Sequence, residues 1–531
     1  MTKNIKWLLL ASLTLVACND DDNTINEEPV SAGTADFSKY VALGDSFAAG
    51  FSDGALFKTA QTTSYPSILT GQFEAAGGGV MTIPYMNDDF GGLLLGGNPI
   101  PGQGVRLYFG KPEGADFDEP LRVPGASTTE VTTKLTGTFS NLGVPGARCI
   151  DLVKAGWGNP SPGAIVSKIS SPYYARFASS SSSTVMADAL TQQPTFFSLW
   201  IGGNDALGYA LAGGDTAFGQ LTPSAGESAI GFDASYDELI NSLTANGRKG
   251  VIANLPYITN LPQFTYLKPS FVDTFKYYTD GDEKKKTRVV SAGDVATINQ
   301  INSIVGFLDQ VLTAYGQPNR FAVLSSATGA VNPVLIKDET LTDFSLQITG
   351  AAQASGNATL MALASHLGET FGKARQTTQG DLIPLISSEV IGKLTTNTLQ
   401  PGVPDNLKAY GITYPLEDRH VLIPTEITEI NNQIDAYNVK IEAVATAKGL
   451  AFVNAKNILK SMSEGGVSES GYTLTTEFVL GGMFSLDGIH PTPRGYAYIA
   501  NRFIDAINAK YGSTLKKVNI GTYRVLFPRA L

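Results

Sequence analysis

The sequence predicts an α/β fold, a parallel sheet with helices on both faces, interrupted by two insertions. Two observations predict it. Short apolar strand-like runs alternate with amphipathic helical stretches along most of the chain, which is the pattern of repeated strand–helix units. One run, Thr195-Phe196-Phe197-Ser198-Leu199-Trp200-Ile201, is almost wholly apolar, as a central strand covered on both sides must be.

Taken in order, the elements begin with an address. Lys3 and Lys6 precede an apolar run from Trp7 to Val16, too short to span a bilayer and suited to a signal peptide over 1–17. It ends Leu15-Val16-Ala17-Cys18, which resembles a bacterial lipobox; in such proteins the cysteine, here Cys18, is lipidated and becomes the mature N-terminus. That implies a lipid anchor in the bacterial outer membrane and leaves Cys149, the one other cysteine, as a buried free thiol. Residues 18–36 read as an acidic tether; Asn19-Asp20-Asp21-Asp22 resembles a surface-export signal and reads equally as a solvated spacer.

Tyr40-Val41-Ala42-Leu43 is the first strand. Ser235-Tyr236-Asp237-Glu238 has the form of a capping box before Leu239, Ile240 and Leu243, with Gly247 as the stop, and Val251-Ile252-Ala253-Asn254 is the next strand. Ile298, Ile301, Val305, Leu308 and Leu312 mark one helix by their three- and four-residue spacing, and Ile427, Ile430, Ile434, Ile441 and Val444 another, closing at Gly449. Ala451-Phe452-Val453-Asn454 follows as a short strand, and Tyr498, Ile499, Phe503, Ile504 and Ile507 line a last helix that stops near Gly512.

Composition narrows the function. The 531 residues are 43% hydrophobic with 26 Phe and 21 Tyr, enough for a large core, and a net charge of −10 leaves no basic footprint for nucleic acid. Gly44-Asp45-Ser46-Phe47-Ala48-Ala49-Gly50 sets a serine directly after a strand, where a nucleophile is presented ahead of a helix. Asn141-Leu142-Gly143-Val144-Pro145-Gly146-Ala147 reads as a second tight loop in which Gly146 can bring a backbone N–H close to a ligand. The apolar strand at 195–201 runs into Gly202-Gly203-Asn204-Asp205, and Leu486-Asp487-Gly488-Ile489-His490-Pro491 sets a carboxylate three residues before an imidazole.

In this order the four pieces resemble the SGNH, or GDSL, hydrolases, with Phe47 where the family name has Leu. The resemblance implies a three-layer α/β/α, flavodoxin-like fold and carboxylic ester hydrolysis of the lipase, esterase or deacetylase type. It implies that Ser46 is the nucleophile, His490 its base, and Asp487 the partner that fixes the imidazole tautomer. It assigns the oxyanion hole to the Ser46 N–H, the Gly146 N–H and the Asn204 amide, and calls for no metal or cofactor. The substrate would be a small-molecule, lipid or acylated-glycan ester.

The other candidate residues have plainer readings. His366 sits in a helical segment as a structural histidine, His420 belongs to an exposed or ion-paired loop, and Asp45 and Asp205 bond their own loops. Phe47 reads as a core-facing change. The resemblance covers about 37–255 and 424–512, with an insertion at about 74–136, an inserted subdomain at 256–423 and a C-terminal tail at 513–531. The subdomain opens with Tyr257, Phe264, Tyr266, Phe271, Phe275, Tyr277 and Tyr278, which either form its own core or line an acyl or sugar pocket beside Ser46. Two rival functions stay open. One is a non-catalytic surface protein binding glycan or lipid on this scaffold; the other is a phosphoester hydrolase, for which only Arg148 and Arg494 lie near the motifs as cationic groups.

Overall fold

The computed structural model describes residues 29–113, 118–272, 292–327 and 330–531, and within them all side chains except those of 271–272 and 292–297. The signal segment, Cys18 and Phe275, Tyr277 and Tyr278 lie outside the described residues.

Five strands form one all-parallel sheet: β1 (Tyr40–Gly44), β2 (Asn141–Gly143), β3 (Phe196–Trp200), β4 (Lys249–Ala253) and β5 (Ala451–Val453). Their order across the sheet is β2-β1-β3-β4-β5, one of the two common doubly wound orders. Leu43 pairs with Leu199, Phe197 with Gly250 and Val251 with Ala451. Val41, Leu43, Phe197, Leu199, Val251 and Ile252 are all excluded from solvent, so apolar residues on consecutive positions find cover on both faces.

The helices that supply this cover include α1 (Ser46–Ala49), α2 (Tyr65–Ala75), α3 (Asn204–Leu211), α4 (Phe232–Thr244), α8 (Pro424–Lys448) and α9 (Pro493–Tyr511), whereas α5 (Ala292–Ala314), α6 (Ser345–Ala354) and α7 (Ala364–Phe371) belong to the second insertion. α2 packs on α9, and Phe196 meets both through Phe73 and Tyr511. α4 packs on α8, where the rings of Phe232 and Tyr437 stack at 4.1 Å. α8 and α9 both stop at a glycine in the left-handed conformation, Gly449 and Gly512, which closes the last turn without a Cβ clash.

Three local expectations need correction. α4 begins a turn before the capping-box motif: Gly231 is the cap, and Ser235 lies inside the helix with its hydroxyl donating to the Gly231 carbonyl at 2.7 Å. Asn141-Leu142-Gly143 is not loop but the edge strand β2, because its backbone pairs with Ala42-Leu43-Gly44. Residues 29–36 are not a tether. Thr34 N–H donates to the Tyr511 carbonyl at 2.9 Å, Ala35 is buried, and Gly33 at φ +60° lets the chain press against the end of α9.

Residues 256–423 carry two apolar clusters apart from the main core. Ile298, Leu308, Leu312, Ile348 and Leu367 pack α5, α6 and α7 together, and Val334, Ile336, Ile383 and Leu416 form the other cluster. The segment 74–136 holds two short antiparallel strand pairs, Leu94–Leu95 with Asn98–Pro99 and Leu107–Gly110 with Glu119–Arg122. Arg106 anchors it: its buried guanidinium donates to the carbonyls of Asp89 at 2.8 Å and Pro528 at 2.9 Å. The C-terminal residues thus pack onto the first insertion through Arg106, and Phe527 meets Phe57, ahead of that insertion, at 4.8 Å.

β2 and α1 approach so closely that only glycine fits between them. A Cβ on Gly143 would stand 2.3 Å from the Ala49 backbone nitrogen. Gly143→Ala is therefore expected to cost about 1–3 kcal/mol by overpacking, read as a lower urea midpoint; an unchanged midpoint would contradict this packing.

Candidate active site

β1 delivers Ser46 to the C-terminal edge of the sheet. Gly44 is required there because a Cβ would stand 2.6 Å from the Trp200 carbonyl oxygen. Asp45 turns the chain into α1 by accepting the Phe47 N–H at 2.9 Å, and Ser46 becomes the first helical residue, 6% exposed.

From the far end of the chain comes the turn before α9. The His490 Nε2 atom lies 2.8 Å from Ser46 Oγ, and its Nδ1 lies 2.9 Å from Asp487 Oδ2. Asp487 is closely held. Its Oδ1 accepts the N–H groups of Ile489 at 2.9 Å and His490 at 2.8 Å, and its Oδ2 accepts the Gly54 N–H at 2.8 Å. Burial alone would raise this carboxyl, but attraction to His490 and these hydrogen bonds draw it down to about 2. A carboxylate that stays charged favours the tautomer with the proton on Nδ1, leaving Nε2 free to accept one from Ser46. A hydroxyl, an imidazole and a carboxylate so aligned can carry out nucleophilic attack with general-base assistance.

The second and third motifs meet Ser46 from the other side. Asn204 opens α3, and its Nδ2 donates to the Ala147 carbonyl at 2.9 Å and to Asp45 Oδ2 at 3.4 Å. Gly146 sits at φ +79° on the exposed rim, one residue before that carbonyl. Among the described residues, the Ser46 and Gly146 N–H groups have no protein hydrogen-bond partner. A cavity of about 50 Å³ adjoins Ser46 and Asn204 and is otherwise lined mainly by apolar side chains.

Several sequence readings change on contact with the structure. Asp205 does not bond its own turn through its side chain; its Oδ2 accepts the Cys149 N–H at 2.7 Å, tying the Gly146 loop to α3. Phe47 does not face the core alone: it is half-buried, with its ring 5.7 Å from the His490 ring and 5.1 Å from Trp200. His420 does lie in an ion-paired loop, where Arg419 meets Glu417 at 2.8 Å, but its own ring is half-buried and edge-on to Tyr410, and burial lowers its pKa. His366 is the buried helical residue its context indicates, with Nδ1 3.2 Å from Thr370 Oγ1. Cys149 is buried and unpaired.

Of the aromatic run, Phe264 is core, Tyr257 donates to Asp435 at 2.7 Å, and Tyr266 packs on Phe478. None of these three lines the cavity at Ser46; the same stretch of chain contributes Leu255, Pro256, Ile258 and Leu261 instead. The two nearby arginines are engaged elsewhere, Arg148 with Asp151 at 3.0 Å and Arg494 over the Tyr472 ring. The carboxylates of Glu339, Asp418 and Glu426 lie within 4.8 Å of one another and could hold a cation, but none lines this cavity. Burial and mutual repulsion push Asp418 to about 7 and Glu426 to about 8, so protons also satisfy the cluster.

One supporting residue has no motif to announce it. Asp53, buried at φ +51°, accepts the Leu486 N–H at 3.0 Å and donates its own N–H to Ser485 Oγ at 2.9 Å. Ser485 in turn donates to Asp487 Oδ1 at 3.2 Å. The only local signal is the turn-forming pair Asp53-Gly54, which is common in any loop-rich chain.

No protein-family model, curated protein or solved structure gives a significant match to the chain.

Burial, aided by the charge on Asp487, raises Asp53 to about 7, and burial raises Asp205 to about 7 as well. Unfolded, these groups ionise near pH 4, so between about pH 4 and 7 the folded state holds protons the unfolded chain has lost. Their contribution to stability falls as pH rises through that window and levels off above it. Asp53→Asn, with an amide that tolerates positive φ, should gain about 2–3 kcal/mol on wild type between pH 5 and pH 8. Urea midpoints at the two pH values check this; a constant difference would contradict the assignment.

Proposed function

We propose that the protein is a serine ester hydrolase of the SGNH type, transferring an acyl group from an ester to Ser46 and then to water. The observation that carries the reading is the unbroken hydrogen-bonded line Ser46–His490–Asp487, at 2.8 and 2.9 Å, between residues 444 positions apart in the chain. The strand order supports it too. Ser46 follows β1 and Asn204 follows β3, neighbours at which the order reverses and where such sheets bind ligands.

Ser46 Oγ attacks the ester carbonyl while its proton passes to His490 Nε2. The imidazolium is stabilised by Asp487 through Nδ1–H. The carbonyl oxygen, now negative, takes hydrogen bonds from the Ser46 and Gly146 N–H groups and from the Asn204 amide, which exchanges its long bond to Asp45 for this one. The C–O bond to the alcohol breaks as His490 returns the proton to the leaving oxygen. Water then repeats the sequence, its proton going to Nε2 and its oxygen to the acyl carbon, and Ser46 is released.

The reading names the bond attacked and not the natural ester. A lipid anchor at Cys18 belongs to the same proposal and would hold the enzyme at the outer membrane. No helix among the described residues is long and apolar enough to cross a membrane.

With p-nitrophenyl acetate and butyrate as substrates, Ser46→Ala should lose at least about a thousandfold in kcat, and chelators should change nothing. Asn204→Ala should lose about a hundredfold to a thousandfold in kcat with little change in KM. Equal turnover by wild type and Ser46→Ala would overturn the reading.

A further inference from the structure

The cavity beside Ser46 has a shape that bears on substrate class. Ser46 and Asn204 both line it, whereas His490 does not. The leaving oxygen must reach His490 Nε2 to receive its proton, so the alcohol portion of a bound ester lies on the His490 side, outside the cavity. The acyl portion, attached to Ser46 with its oxygen toward Asn204, is the part that points in. Apart from Asp45, whose carboxylate is occupied with the Phe47 N–H and Asn204, no charged side chain among the described residues lines the space. It offers nothing to a charged acyl group such as succinyl.

Size sets the next limit. Cavities of about 150 Å³ hold a six-carbon ring, so the 50 Å³ here has room for about two or three carbons beyond the carbonyl. Behind it lies a second apolar cavity, also about 50 Å³, reaching Met462 and Phe484. Phe47, Trp200, Pro256 and Leu261 line both and stand as the wall between them. Leu261 is the wall's aliphatic side chain, 4% exposed and supplied by the start of the second insertion.

We infer that the first cavity is an acyl pocket for short, uncharged acyl groups of two to four carbons, and that the Phe47–Trp200–Leu261 wall sets this cut-off. The substrates are then acetyl to butyryl esters rather than long-chain lipids. The inference rests on the ester-hydrolase reading and adds to it the identity of the acyl group.

The test is the kcat/KM of the purified protein on p-nitrophenyl acetate, butyrate, hexanoate and octanoate. Wild type should fall at least tenfold from butyrate to octanoate. Leu261→Ala joins the two cavities and should raise the octanoate-to-butyrate ratio at least tenfold. Because Leu261 is buried and its removal can disturb folding, Leu207→Phe provides an independent arm. Leu207 is half-buried on α3 and lines only the first cavity. A larger ring there should lower the butyrate-to-acetate ratio at least fivefold. Octanoate turnover by wild type equal to butyrate turnover, or an unmoved butyrate-to-acetate ratio in folded Leu207→Phe, overturns the pocket and leaves the ester-hydrolase reading standing. Absence of turnover on every ester removes both.

Discussion

One largely enclosed negative charge, that of Asp487, its side chain 14% exposed, organises the site. Taking a carboxylate out of water is costly unless donors replace the lost hydration, and here the replacements come from widely separated parts of the chain. Gly54 contributes from the loop after α1, Ser485 and the backbone of Ile489 and His490 from the turn before α9, and the imidazole ring completes the set. The same donors fix the position of His490 relative to Ser46, so the hydrogen bond to the hydroxyl depends on the charge behind it. Loss of any one donor would loosen both.

The insertions serve this arrangement from outside. Leu107, in the first, donates its N–H to the Asp53 carbonyl at 2.7 Å, and Asp53 in turn holds Leu486 and Ser485. Arg106 continues the connection to the carbonyls of Pro528 and Arg529. A segment with few periodic runs and a short C-terminal stretch are thereby bound to the turn that carries the imidazole. The second insertion builds apolar clusters of its own, so its stability need not draw on the sheet. Its contribution to the site is confined to the stretch beginning at Pro256, where the chain leaves β4 and passes the cavity.

Much of the sheet was legible because its signal is local. The runs at 40–43, 195–201 and 251–254 are short, rich in β-branched and aromatic residues and largely apolar on consecutive positions, the pattern of a strand covered on both faces. α8 and α9 were legible from periodicity closed by a glycine. β2 was not, because an edge strand of three residues containing Asn141 and two turn-prone neighbours looks like loop until its partner is known. The four motifs that meet at Ser46 could be read as residue types, and their order added the rest. What could not be read was support at long range. The bonds from Asp53 to Leu486 and from Gly54 to Asp487 each span 433 positions, and the bond from Cys149 to Asp205 spans 56. No spacing rule reaches that far. The packing of residues 29–36 against the end of α9 was hidden for the same reason, since their polar composition reads as solvated chain when their partner lies at Tyr511.

The claim on which the account turns is that His490 activates Ser46. A fluorophosphonate probe tests it most directly, because such probes react with a hydroxyl that a neighbouring base has made nucleophilic. Intact mass followed by peptide mapping should find one adduct per chain, on Ser46, and His490→Ala should slow its formation by orders of magnitude. An unlabelled protein, an adduct on another serine, or labelling of Ser46 at the same rate without His490 would contradict it.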